Sequence, residues 1–252
     1  MSKVYLVGAG PGDPELVTLK AARVLAEADV ILYDQLANPE VLRCCRPDAE
    51  FVFVGKAKGD HTFAQGEINE LLYSLSTQHA VVVRLKGGDP LTFGRGGEEY
   101  EHLVRRGVDC EIIPGITSAA AASAAFGLPL THREHAPSVR FVTGHRAGEG
   151  EAASFSGIRV KGQTLVIYMG LSRLEQIMAE LGALEENRDA PVAIVEKVSR
   201  PKQRILFGTV ASITEIVRAA GVQSPALTIV GDVVGLARTL AELRGTSGQP
   251  PR

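Results

Sequence analysis

The sequence predicts an α/β fold in two domains, on three observations. Short β-branched apolar runs alternate with stretches of helical periodicity up to about residue 115, the pattern of a mostly parallel sheet. The segment Gly127-Leu128-Pro129-Leu130-Thr131-His132-Arg133 reads as a linker, after which Val139–Thr143 opens a new sheet. The apolar run Val81–Leu85 breaks abruptly into Gly87-Gly88-Asp89-Pro90, followed by a second glycine cluster around Arg95. In an open α/β sheet, ligands bind at the loop leaving a strand's carboxyl end. Four glycines, an aspartate and an arginine within ten residues exceed what a turn requires.

In chain order, Val4–Val7 is a buried strand running into Gly8-Ala9-Gly10-Pro11-Gly12-Asp13-Pro14. A dinucleotide fingerprint would need glycine at position 13. Asp13 instead puts negative charge where a pyrophosphate should meet the helix, and Pro11 removes an amide donor. Asp13 followed by Pro14 predicts a helix start, with Leu16, Leu19, Ala22 and Leu25 or Ala26 as the apolar face of one helix to about Ala28. Val30–Tyr33 is the second strand, with Asp34 at its carboxyl end; Asn38-Pro39 starts a short helix in the same way. Phe51–Val54 is a third strand, ending at Gly55-Lys56-Ala57-Lys58-Gly59. Helices over about 65–76 and 97–106 bracket the Val81 strand, and Cys110–Ile113 closes the first domain at Pro114-Gly115. Thr117–Phe126 is a helix almost without side chains, open to close approach by another surface or a ligand. Residues 146–162, polar and glycine-rich, read as a mobile loop. Strands at Thr164–Tyr168, Val192–Val195, Arg204–Phe207 and Ala226–Val230 complete the second domain, and the Gly/Ser/Pro tail from Gly245 reads as disordered. The domains are thus 1–115 and 138–244, joined by 116–137.

The net charge of −2 gives no global case for nucleic acid or an anionic membrane, so an anion site must be a local basic cluster. No secretion leader and no run near ~20 apolar residues is visible. Cys44, Cys45 and Cys110 fit neither a disulfide framework nor a metal site and read as reduced cytosolic thiols; the histidines lack ligand spacing, so no metal is implied.

Gly8-Ala9-Gly10-Pro11-Gly12-Asp13, Tyr33-Asp34-Gln35-Leu36, Val54-Gly55-Lys56, Arg84–Pro90 and Phe93–Glu99 together resemble the tetrapyrrole methylase superfamily. Pro114–Ser118, Pro129–Arg133, Val142–His145 and Tyr168–Leu171 are similar to its branch that methylates uroporphyrinogen III, over about residues 3–240. The resemblance implies two αβα domains with S-adenosylmethionine in the cleft between them, a cytoplasmic homodimer, and C2 and C7 methylation of the tetrapyrrole to precorrin-2 by way of precorrin-1. No segment resembles the dehydrogenase–ferrochelatase half that some members carry, so a stand-alone methylase is expected.

Carried over by motif, the cofactor contacts are Pro11, Gly87, Gly88, Asp89, Thr92, Thr117, Ser118, Met169, Val198 and Ala226. Thr92 departs from the family's common isoleucine, and Glu196-Lys197-Val198 from a segment that often holds glycine. The resemblance gives Asp34 the proton-acceptor role and Lys56 a donor role. From its own chemistry, Asp34 can stabilise positive charge on a methylated pyrrole or take the proton. Arg95 is suited to clamp a substrate carboxylate and, with pKa above ~12, is a poor base; its role stays open, and Glu98 reads either as orienting it or as a solvated helix start. Lys58, His132, Arg133, His145 and Arg146 complete a basic rim for a substrate ringed by carboxylates, with Tyr168 and Met169 beside it at a strand break. Sibling methylases of the same fold remain rivals: a ribosomal-RNA methylase would favour a basic surface, which a net charge of −2 does not supply. A non-catalytic binding protein should lack Asp34, Lys56 or Arg95.

Overall fold

The structure, a computed structural model, describes residues 2–55, 63–145, 154–243 and 245. The chain folds as two compact units, Met1–Ser118 and Ala119–Arg252.

The first unit is built on strands β1 (Lys3–Gly8), β2 (Val30–Tyr33), β3 (Glu50–Phe53), β4 (Val81–Lys86) and β5 (Asp109–Ile113), in the order β3-β2-β4-β1-β5. Every ladder is parallel, so all the carboxyl ends meet at one edge. Helices α1 (Leu19–Glu27), α2 (Gln65–Ser76) and α3 (Gly96–Val104) cover both faces. Val7, Ile31, Val83 and Leu85 pack with Ala21, Val24 and Leu25 of α1 on one side. Val4, Leu6, Leu32 and Val82 pack with Ile68 and Leu72 of α2 and Leu103 of α3 on the other. The two-residue period of the strands sends alternate side chains to opposite cores.

One expected helix is broken in two. Asp13 caps only a 3-10 turn, Pro14–Leu16, through a bond from the Glu15 amide. The α-helix starts at Leu19, where Thr18 Oγ1 accepts from the Ala21 amide at 3.1 Å. The restart changes the helical phase. Leu19, expected in the core, is 92% exposed; Leu25 is buried as expected, joined by Ala21, Val24 and Ala28.

The second unit opens with α4 (Ser118–Phe126), whose first residue lies at the unit boundary. Its strands are β6 (Ser138–Thr143), β7 (Gln163–Tyr168), β8 (Pro191–Glu196), β9 (Arg204–Thr209) and β10 (Ala226–Val230), in the order β6-β7-β10-β8-β9. Helices α5 (Leu174–Gly182), α6 (Ile213–Ala220) and α7 (Asp232–Leu243) complete it. Here the sheet is mixed: β6 and β7 are parallel, whereas β10 runs against both neighbours and β9 against β8. The segment 197–203 joining β8 to β9 is too short for the crossover a parallel pair needs, so the pair forms a hairpin.

Residues 146–153 of the expected mobile loop lie outside the described residues, and the rest is anchored. Phe155, Ile158 and Val160 are buried in the core of the second unit. Asn187 Oδ1 accepts from the Val160 amide at 3.1 Å and Asn187 Nδ2 donates to the Ile158 carbonyl at 2.8 Å. Three apolar residues spaced among glycine and serine are enough to pin an irregular segment. Apart from Gly245, the expected disordered tail lies outside the described residues. Among the described residues no helix is long and apolar enough to cross a membrane.

Candidate active site

In the first unit the loops leaving β1, β4 and β5 close on one another at the carboxyl edge. Gly88 N donates to the Gly10 carbonyl at 2.7 Å, and Gly10 N to the Gly88 carbonyl at 3.2 Å. A Cβ on Gly115 would stand 2.2 Å from the Gly88 carbonyl oxygen and 2.8 Å from Gly8 Cα. Backbone lies against backbone here, which only glycine permits. Gly88 has φ +69° and open space where a Cβ would point. The shelf is therefore bare toward solvent, with Pro11 buried beside it.

Asp89 organises this shelf. Its Oδ1 accepts from the amides of Leu91 and Thr92 and from Thr92 Oγ1 (3.0, 3.1 and 3.2 Å), and its Oδ2 from the Gly115 amide at 3.2 Å. Both oxygens are engaged within the protein, and Thr92 serves the same loop through its hydroxyl. Gly87 turns beside Leu36, where a Cβ would stand 2.6 Å from Leu36 Cβ. Thr117 and Ser118 are half-buried where the chain enters α4.

Phe93 and Arg95 both take left-handed backbone, φ 55° and 59°, a conformation that costs an L-residue about 1–2 kcal/mol. Arg95 grips Glu98 with two parallel bonds, Nε to Oε1 at 2.9 Å and Nη2 to Oε2 at 2.7 Å. The pairing holds the guanidinium above its ordinary value and the Glu98 carboxyl below its own. Glu98 thus orients Arg95. Asp34, one strand away, accepts from the Leu36 amide through Oδ1 and from Arg84 Nη2 through Oδ2, both at 3.0 Å.

Within the second unit, Met169, Val198 and Ala226 gather at one end of the sheet. Ala226 pairs with Glu196, Thr228 pairs with Ile167, and Met169 follows β7 as Val198 follows β8. Met169 is 50% exposed in left-handed backbone (φ 53°), and Lys197 and Ser199, flanking buried Val198, share that conformation. Tyr168 packs edge-on against Phe141, ring centroids 5.8 Å apart. Arg133 and His145 are exposed. His132 lies in a tight turn closed by reciprocal amide bonds with Ala136. That turn brings ligand atoms of His132, Glu134 and His135 within 4.8 Å of one another, a grouping the histidine spacing did not suggest. The Nδ1 of His132 is already engaged by the Glu134 amide at 3.2 Å. Lys56, Lys58 and Arg146 lie outside the described residues.

Sequence reasoning assigned no role to Arg84, Lys86 or Glu99, which form a buried ionic cluster beneath Asp34. Glu99 falls on the buried stripe of α3 between Gly96 and Leu103. A carboxylate at helical spacing among core positions was the available signal.

The family model for Tetrapyrrole (Corrin/Porphyrin) Methylases matches residues 3–214. A siroheme synthase from Acinetobacter baylyi is 48% identical over 238 residues, covering 94% of this chain and 52% of its own length. The chain therefore spans about half the length of the curated relatives it matches. The solved uroporphyrin III C-methyl transferase of Thermus thermophilus superimposes with a TM-score of 0.80 at 43% identity, covering 93% of this chain and 94% of that one. Another structure of the Thermus thermophilus enzyme, complexed with S-adenyl homocysteine, gives 0.79 and 44%, over 92% and 93% of the two chains. A family match over most of the chain, with relatives of this identity, places it: the chain belongs to the tetrapyrrole (corrin/porphyrin) methylases.

Proposed function

We propose that this chain is an S-adenosylmethionine-dependent C-methyltransferase acting on uroporphyrinogen III at C2 and C7, giving precorrin-2 by way of precorrin-1 and entering sirohaem or cobalamin synthesis, as a cytoplasmic homodimer. The observation that carries the reading is the bare glycine shelf at the ends of β1, β4 and β5, with Asp34 and Arg95 on the same edge. The shelf fits the cofactor: Gly88 leaves open space above its backbone, and Pro11 supplies a buried apolar wall. Gly87, Gly88, Asp89, Thr92, Thr117 and Ser118 would hold it, Asp89 and Thr92 by fixing the loop. Met169, Val198 and Ala226, gathered at one end of the second unit's own sheet, are the further residues that the family's motifs assign to the cofactor.

When bound, S-adenosylmethionine supplies an electrophilic methyl group on sulfur. The protein's part is alignment, since in-line transfer to carbon depends on orientation. The charge left on the methylated pyrrole falls to Asp34, which stabilises it or takes the departing proton; Lys56 would act as donor. Arg95, locked by Glu98 and held firmly cationic, clamps a substrate carboxylate rather than serving as base. His132, Arg133, His145 and Lys58 are the further basic residues that would bind the substrate's carboxylates, together with Tyr168.

The test is an anaerobic reaction with uroporphyrinogen III and S-adenosylmethionine, following product mass and absorbance. Two added methyl groups, falling sharply in Asp34→Ala and Arg95→Ala while cofactor binding persists, is the expected result. Cofactor binding without methylation of uroporphyrinogen would move the substrate to another tetrapyrrole. Absence of cofactor binding would overturn the proposal.

A further inference from the structure

Beneath the candidate site lies a set of charges that packing alone does not explain. Arg84 and Lys86 of β4 and Glu99 of α3 are 3%, 4% and 0% exposed. One oxygen, Glu99 Oε1, accepts from Arg84 Nε (3.1 Å), Lys86 Nζ (2.9 Å) and Gln65 Nε2 (3.1 Å). The other, Oε2, is buried with no hydrogen-bond partner. Arg84 Nη1 donates to the Leu85 carbonyl at 2.9 Å, with the Leu32 carbonyl at 3.5 Å. Its remaining arm, Nη2, reaches Asp34. Asp34 is the one charged member of the set that meets solvent, with a quarter of its side chain exposed.

The two cations and two carboxylates balance, yet a buried ionic set seldom stabilises a core better than apolar residues of equal volume. An orphaned carboxylate oxygen costs still more. What the arrangement delivers is direction. Three donors fix Glu99, Glu99 and two carbonyls fix the guanidinium plane, and its last donor fixes the carboxylate at the edge.

We propose that Glu99 is a positioning residue for the transfer reaction, acting through Arg84 to hold the Asp34 carboxylate in its working orientation. The inference rests on the methyltransferase reading, in which Asp34 meets the substrate. Glu99→Gln keeps the shape and the Oε1 acceptor, removes the charge and puts an amide NH2 where Oε2 has no partner. Burial, then Arg84, already pulls the Lys86 ammonium below its ordinary value. The variant can therefore shed that proton instead of burying a cation left without its carboxylate, and it should remain folded.

The experiment is a double-mutant cycle on the full chain, with Glu99→Gln and Arg84→Met each made alone and combined with Asp34→Ala. Single-turnover methylation of uroporphyrinogen, KM, S-adenosylhomocysteine affinity by calorimetry, and melting are read for each. Glu99→Gln should slow transfer about tenfold or more, with affinity for S-adenosylhomocysteine within about twofold of wild type. In the Asp34→Ala background it should slow transfer by less than about twofold, because the group it positions is gone. Arg84→Met should behave in the same way and serves if Glu99→Gln does not fold. Multiplying effects in the double variants, or unchanged transfer in folded Glu99→Gln, would overturn the inference and leave the methyltransferase reading standing. No methylation by the wild type would overturn both.

Discussion

Replacing Gly115 by alanine tests whether the closeness of the strand ends is essential. The new Cβ would sit 2.2 Å from the Gly88 carbonyl oxygen, 2.8 Å from Gly8 Cα and 2.9 Å from Gly8 C, against 3.4 Å for ordinary contact. Every neighbour is backbone, so no side chain can swing away, and the loops must part by about 1 Å. That movement also stretches the bond from the Gly115 amide to Asp89 Oδ2, now 3.2 Å. Overpacking of this kind costs about 2 kcal/mol, on the order of 5–10 °C in the melting midpoint of a unit this size. Gly107→Ala is the control: φ is +75° with nothing near its Cβ, so it carries only the left-handed penalty of about 1 kcal/mol. Calorimetric melting and S-adenosylhomocysteine titration separate the two. Gly115→Ala should lose affinity by about tenfold or more, since misplacement of about 1 Å is costly at such sites, and Gly107→Ala should lose none. Wild-type melting and affinity in Gly115→Ala would refute the argument that the shelf depends on contact between these three loops.

Three further outcomes are expected. Thr18→Ala should destabilise the first unit by about 1 kcal/mol and Asp13→Ala by less, because Thr18 caps α1 and Asp13 only a 3-10 turn; equal losses in denaturant unfolding would contradict the split helix. Glu111, bonded to Lys20 and to Lys3, is drawn down to about 2 from 4.5, so its stabilising effect is present above about pH 4.5 and drains away as pH falls toward 2. Acid titration of stability should flatten over that window in Glu111→Gln, less so at high salt, and an unchanged curve would count against the pairing. Partial burial pushes the Cys110 thiol up to about 12 and the Cys45 thiol up to about 11, so at pH 8 both should resist thiol reagents in the native chain and react at once in denaturant; rapid native labelling of Cys110 would contradict this protection.

Where hydrophobic period and breakers agree, the sequence could be read closely. The helix Gln65–Ser76 and the strands Val30–Tyr33 and Ala226–Val230 lie where expected, each bounded by turn residues and filled with one clear pattern. Reading failed where two local signals competed. Asp13-Pro14 is a legitimate helix start, but Thr18 offers a second cap one turn later, and choosing between them depends on which apolar face meets β1 and β2. Strand direction in the second sheet was equally hidden, because the pattern Val-Ala-Ile-Val suits either neighbour orientation. At the site, the glycine loop announced itself through composition. The Arg84–Glu99–Lys86 set did not, since knowing that a charge lies within an apolar strand says nothing of which helix carries its partner until α3 is docked.

The left-handed residues Phe93, Arg95, Met169, Lys197 and Ser199 have a consequence for engineering this chain. Each stores backbone strain that glycine or asparagine would release. Selection for heat tolerance alone should therefore find its gains at these five positions, and at Arg95 and Met169 it would discard the side chains assigned here to substrate and cofactor. A thermostabilised descendant of this protein would be sturdier first where it is least able to work.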